Sequence, residues 1–234
     1  MIQTSVRENL PRIQERIASA AARAGRRAEG ITLIAVSKTH PASAIREAYE
    51  AGIRHFGENR VQEWEGKRGG TEGLAATWHL IGHLQSNKAA RAAKLFHSVD
   101  SVDDFAIAQR LDRARAEVPI IDKLRVLIEV RVAPEETKSG VEISDLPALV
   151  EKLAGLPQLE LAGLMCIPPF LEDAERVRPY FRRLRELRDD LAKKLGLALP
   201  VLSMGMSHDF EVAIEEGATE VRIGTAIFGV REYR

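Results

Sequence analysis

The chain has a single cysteine, Cys166, in 234 residues. That excludes an internal disulfide and any cysteine-cluster metal site, and it fits a reducing cytoplasm. There is no excess of charge of either sign, because 34 Lys and Arg stand against 34 Asp and Glu. A nucleic-acid protein built on a broad basic face is therefore not expected. Nowhere do 18 apolar residues run together, so no membrane span is expected. Met1 to Arg16 is polar and charged, without the apolar stretch of an export signal. What remains is a folded cytoplasmic chain, long enough to bury a core without a metal or a disulfide.

The apolar pattern gives the order of elements. From Thr4 to Gly25 the residues Val6, Leu10, Ile13, Ile17, Ala20 and Ala24 recur every three or four positions, one stripe of an amphipathic helix. Ile31–Val36 follows, a short run rich in branched residues that reads as a strand buried on both faces. Further strands are predicted at Ile53–Phe56, Thr77–Ile81, Leu95–Val99, Leu124–Val130, Leu159–Met165, Pro200–Ser203 and Glu220–Ile223. Between them the pattern predicts helices over Pro41–Ala51, Asn59–Lys67, Asn87–Lys94, Val102–Glu117, Ser144–Gly155, Glu172–Leu195 and His208–Glu216. Pro179 fits the first turn of its helix if that helix begins late. Eight repeated strand–helix units imply a closed (β/α)8 barrel, with an extra N-terminal helix, as one domain over residues 1–234. A doubly wound open sheet is weaker, since no Gly-x-Gly-x-x-Gly turn follows the first strand.

Such a barrel places its chemistry at the C-terminal ends of the strands. Lys38 follows the first strand, where partial desolvation of an amine makes it a nucleophile toward carbonyls. Position alone favours a plain solvated lysine. The segments Ser203–Ser207 and Gly224–Gly229 change that balance. They are small and glycine-containing, they follow strands seven and eight, and Ser207 is placed to cap the next helix, as in the usual phosphate cradle of these barrels. Together with Lys38 they describe a site for a phosphorylated carbonyl compound, of which pyridoxal phosphate is the familiar example.

Other constellations fail. His79 and His83 are too far apart along a strand to share a zinc ion. No nucleophile elbow, phosphate-binding Gly-Lys-Ser/Thr loop or His-Glu-x-x-His is present. Cys166 reads as a buried small hydrophobe.

Six motifs occur in order: Ala35-Val-Ser-Lys38-Thr, Phe56-Gly-Glu-Asn59, Trp78-His-Leu-Ile-Gly-His-Leu-Gln85, Gly163-Leu-Met-Cys-Ile-Pro168, Ser203-Met-Gly-Met-Ser207 and Val221-Arg-Ile-Gly-Thr-Ala-Ile-Phe-Gly229. In these the chain resembles the YggS/PROSC family of pyridoxal phosphate homeostasis proteins, from about Val6 to Gly229. The resemblance implies an alanine-racemase-like barrel without the second β domain of the racemases. It implies that Lys38 carries pyridoxal 5'-phosphate as an internal aldimine. It further implies that Ser207, Gly224 and Thr225 hold the phosphate with Ser203 and Met206 close by, that Arg222 faces the pyridine nitrogen, and that Asn59 lies near the ring. Arg131 departs from the asparagine of many relatives, and Lys138 is kept as a second lysine near the mouth.

Two functions follow. One is a cofactor-binding and delivery protein without established turnover, whose partners are pyridoxal phosphate and PLP-dependent apoenzymes; a monomer is expected. The other is an amino-acid racemase on the same barrel. A racemase needs a proton donor-acceptor on each face of its substrate, and none of Tyr49, Tyr180 and Tyr233 lies in a motif loop. The first is the expected function.

Overall fold

The computed structural model describes residues 5–119, 122–133 and 139–229. Helix α1 (Val6–Arg23) comes first and buries the predicted stripe of Val6, Leu10, Ile13 and Ile17, with Ala20 and Ala21. The Ser5 backbone N–H donates to Glu8 Oε2 at 3.1 Å, which closes its first turn.

Strands β1 (Thr32–Val36), β2 (His55–Glu58), β3 (Thr77–Leu80), β4 (Ser98–Val102), β5 (Leu124–Glu129), β6 (Leu159–Met165), β7 (Val201–Ser203) and β8 (Glu220–Ile223) form a closed parallel barrel. Each pairs with the next, and β8 returns to β1 with Ala35 opposite Ile223. Around it lie α2 (Ala42–Glu50), α3 (Val61–Arg68), α4 (Ala89–Leu95), α5 (Phe105–Ala116), α6 (Leu146–Ala154), α7 (Arg178–Leu195), α8 (Phe210–Glu215) and the short α9 (Thr225–Phe228). The predicted (β/α)8 architecture is the one found. In α7 Pro179 does sit in the first turn, and Gly196 ends the helix at φ +65°, a left-handed cap that glycine adopts without steric cost. Among the described residues no helix is long and apolar enough to cross a membrane.

The strand most displaced from its predicted place is β4. Periodicity placed it at Leu95–Val99, but it runs three residues later. All five of its residues are buried, including Ser98, Asp100 and Ser101. An apolar run attracts a strand prediction, and here the barrel interior is polar, so the true strand looks like a loop. Correspondingly α5 starts at Phe105 rather than Val102, with the Asp104 carboxylate accepting from the Ala106 and Ile107 amides.

That polar interior is a connected layer. His79 Nδ1 lies 3.1 Å from Asp100 Oδ2, and His79 Nε2 lies 3.1 Å from His55 Nδ1. Arg125 donates to Ser98 Oγ at 3.1 Å and to Glu220 Oε1 at 2.7 Å. His79, Asp100 and Glu220 converge within 4.8 Å, and Arg125 already supplies the cation that buried carboxylates require. His79 and His83 do not share a site, since His83 lies outside this layer beside Asp103 at 3.5 Å.

Helix α1 braces the far end of the chain. Asn9 Nδ2 donates to the Ile227 carbonyl at 3.0 Å. Arg16 pairs with Glu211 at 2.8 Å, and Arg23 with Glu215 at 2.7 Å. The N-terminal helix thus holds α8 and α9, the two helices that follow the last loops of the rim.

Candidate functional site

Beyond β1, Ser37 is buried, Lys38 is half-buried and Thr39 adopts φ +68°, rare for a β-branched residue. The next strand round the barrel is β8, which ends at Ile223 and is followed by Gly224. A Cβ on Gly224 would lie 3.4 Å from both the Cβ and the carbonyl oxygen of Val36. That is van der Waals distance, so the loop after β8 lies against the strand that delivers Lys38.

The loop after β7 joins the same rim. Gly205 has φ +94°, and a Cβ there would lie 2.6 Å from Ala213 Cβ, so only glycine permits this tight turn. The Gly205 carbonyl accepts from Arg222 N at 2.9 Å. Ser207 Oγ accepts from Ala226 N at 3.4 Å, tying the β7 loop to α9. Ser207 does not cap the helix near His208 as predicted. Helix α8 starts at Phe210, and Asp209 precedes it, accepting from Met206 N at 2.6 Å. The loop turns back on itself before the helix begins, which leaves the serine over the rim. Among the described residues, the backbone N–H groups of Ser207 and Thr225 donate to no partner. These are donors of the kind that bind anions at helix starts.

Arg222 lies beneath these loops, buried. Its Nη1 donates to Ser203 Oγ at 2.9 Å and its Nη2 to the Cys166 carbonyl at 2.8 Å. It is therefore not the ion-pair partner of Glu220, which Arg125 takes. Burial pushes the Cys166 thiol up to about 12, which makes it the inert buried residue expected. Burial also raises the carboxyls of Glu129 and Asp209, both facing the charge of Arg222.

Asn59 follows β2, which pairs with β1, and is half-buried. Gly82 packs on it so closely that a Cβ would lie 2.5 Å from the Asn59 carbonyl oxygen. Met206 is half-buried in the β7 loop. Arg131 forms an ion pair with Glu142. Lys138, like Tyr233, falls outside the described residues. The rim thus brings together Lys38, Ser203, Met206, Ser207, Arg222, Gly224 and Thr225, with Asn59 on the opposite flank of β1.

Sequence reasoning missed the buried acids and their partners. Glu58 accepts from Ser37 Oγ at 2.7 Å and pairs with Lys67 at 3.1 Å. Glu129 accepts from Ser139 Oγ at 2.8 Å beside a cavity of about 60 Å³. A carboxylate at the end of a strand, Glu58 or Glu129, was the available signal.

Residues 9–232 match the family described as alanine racemase, N-terminal domain. The chain is 50% identical over 226 residues to the pyridoxal phosphate homeostasis protein of Aquifex aeolicus, covering 97% of this chain and 98% of that protein. To the one of Pseudomonas aeruginosa it is 48% identical over 231 residues, covering 98% and 97%. The chain belongs to the pyridoxal phosphate homeostasis protein family. Among solved structures, PipY of Synechococcus elongatus with PLP bound is similar at TM-score 0.82 and 43% identity, covering 93% of this chain and 100% of that one. Alanine racemase of Corynebacterium glutamicum shares the fold at TM-score 0.66 and 19% identity, but this chain covers only 60% of its length.

Proposed function

We propose that this chain binds pyridoxal 5'-phosphate at the C-terminal rim of its barrel and serves in holding and delivering that cofactor inside the cell. The observation that carries the reading is the seating of the β8 loop at Gly224 against Val36, two residues before Lys38, with Ser207 tied to the same loop. An amine and a set of anion donors thereby meet on one rim, the complement of an aldehyde and a phosphate. Its relatives' name and the PLP bound to PipY support the same ligand.

In this reading Lys38 holds the cofactor through a Schiff base, and Ser207 and the backbone amides of Ser207 and Thr225 bind its phosphate. Ser203, Met206, Gly224 and Asn59 shape the pocket, and Arg222 faces the ring nitrogen. Bound pyridoxal phosphate supplies a reactive aldehyde and an electron sink. Among the described residues, neither tyrosine is placed to act as a second base on the opposite face. Tyr49 lies on α2 beneath Arg54, whose guanidinium carbon is 4.0 Å from its ring centre, and Tyr180 packs at the start of α7. Both are on the helical layer and not on the rim. This supports a carrier over a racemase. Apoenzymes are the acceptors that delivery requires. The test is the absorption spectrum of purified protein with pyridoxal phosphate, followed by borohydride reduction and mass mapping. One pyridoxyl group on the Lys38 peptide is expected; a label confined to another lysine overturns the assignment.

A further inference from the structure

The two peptide groups flanking Lys38 are held by one turn of helix α3. Lys67 Nζ donates to the Ser37 carbonyl at 2.9 Å, to both oxygens of Glu58 at 3.1 and 3.2 Å, and to Glu63 Oε1 at 2.6 Å. Glu63, four residues earlier on the same helix, accepts the Thr39 backbone N–H. Glu58, at the end of β2, accepts from Ser37 Oγ at 2.7 Å. The carbonyl before Lys38 and the amide after it are therefore both fixed, from outside, by a compact cage of three charges.

Several features separate this cage from an ordinary surface ion pair. The Lys67 side chain is only 12% exposed and Glu58 is fully buried, so the lysine is desolvated and all of its hydrogen-bonding capacity is taken up. Thr39 stands in the left-handed region at φ +68°. A branched residue keeps such a conformation only when its surroundings dictate it, and here Glu63 accepts its amide while His40 N closes the turn on the Ser37 carbonyl at 3.1 Å. Among the described residues, the cage's hydrogen bonds run to the backbone on both sides of Lys38 and to none of the loops that hold the proposed phosphate donors.

We propose that Lys67 and Glu63, braced by Glu58, are positioning residues that lock the Ser37–Thr39 turn and so aim the Lys38 amine into the cofactor site. This rests on the reading of Lys38 as the lysine that binds pyridoxal phosphate. A bond-forming amine must be presented at a fixed distance and angle to the aldehyde, and the cage holds the peptide groups on both sides of the residue that carries it. The cage adds to the backbone bonds of this turn, in which Ser37 N donates to the Gly57 carbonyl at 3.0 Å and His40 N to the Ser37 carbonyl at 3.1 Å.

The test compares the wild type with Lys67→Met, Lys67→Arg and Glu63→Ala, each checked for native circular dichroism. Amide hydrogen exchange of the Ser37–His40 segment is measured without cofactor. The rate of Schiff-base formation at Lys38 and the pH dependence of its absorption band are measured with pyridoxal phosphate. Lys67→Met is expected to speed exchange in that segment and to slow Schiff-base formation on the order of tenfold or more. Its absorption band should also titrate at a different pH, and Lys67→Arg should recover part of each effect. Glu63→Ala, on the more exposed side of the cage, should show the same changes if Lys67→Met fails to fold. Folded variants with wild-type exchange, formation rate and band titration would overturn the proposal. If wild-type protein forms no Schiff base at Lys38 while the exchange effect is present, the cage stands as a lock on the turn. The cofactor reading, and with it the aiming role, would then fail.

Discussion

Arg125 of β5 and Glu220 of β8, 95 positions apart in sequence, meet inside the barrel with Nη2 and Oε1 2.7 Å apart. Burial raises the Glu220 carboxyl, and the nearby charge of Asp100 raises it further. Among the described residues its second oxygen, buried, has no hydrogen-bond partner. A carboxyl that binds its proton more tightly when folded contributes stability below its ordinary range, lost as pH rises through the raised value. Glu220→Gln keeps an acceptor for Arg125 and removes that cost, so it should leave stability within about 1 kcal/mol or raise it, and flatten its fall with rising pH. Arg125→Met strands two buried carboxylates and should lose about 3–5 kcal/mol. Urea unfolding across pH measures both.

Lys38→Ala should abolish the absorption band that pyridoxal phosphate gives with wild-type protein, while the melting temperature without cofactor changes little. Lys38 is half-buried at the end of β1 and lies outside the hydrophobic core. A band that persists in the variant would place the cofactor elsewhere.

Ser207→Ala should weaken pyridoxal phosphate binding about tenfold, the effect of one charge-assisted hydrogen bond lost while backbone donors remain. Binding of pyridoxal, which lacks the phosphate, should be weaker than that of pyridoxal phosphate in wild type and almost unaffected by the substitution. Equal wild-type affinity for the two compounds, measured by absorption titration, would contradict a phosphate cradle.

Incubated with alanine in heavy water, the loaded protein should exchange the α-proton slowly or not at all. A guanidinium such as Arg222 only donates hydrogen bonds, so a ring nitrogen facing it stays unprotonated and withdraws electrons weakly. The two described tyrosines lie away from the rim. Rapid exchange that disappears in Lys38→Ala would restore the enzyme reading.

Glu216 gathers Arg178 at 3.2 Å, Arg182 at 2.9 Å and Arg185 at 3.4 Å, joining the turn after α8 to α7. Burial alone would raise its carboxyl, but hydrogen bonds from Arg182 and Arg178 and the charges of Arg182 and Arg185 hold it below the usual range. A depressed carboxyl stabilises the fold above its ordinary value, and that stability is lost as pH falls through the folded value. Glu216→Gln should cost about 1–3 kcal/mol at neutral pH and make unfolding less sensitive to acid below about pH 4.5. Thermal unfolding from pH 3 to pH 7 checks this.

The order of strands and helices was legible in the residues themselves. Branched apolar runs such as Ile31–Val36 suit a strand covered on both faces, and the stripe of α1 has no other way to be buried. Lys38 and the two glycine-containing loops were legible because a barrel converts position along a strand into position on one rim. What the chain alone did not reveal was set by pairing in space. β4 was misplaced because Ser98, Asp100 and Ser101 are buried against Arg125 and His79, partners from other strands that no local pattern displays. The caging of Lys38 by Glu63 and Lys67 depends on α3 packing beside the end of β1. Ser207 was read as a cap because local sequence allows it, yet the turn at Gly205 carries it to Ala226. Periodicity reports which side of an element meets apolar surroundings. It is silent about polar groups whose burial is tolerated only because distant residues satisfy them, and in this protein those groups hold the lysine in place.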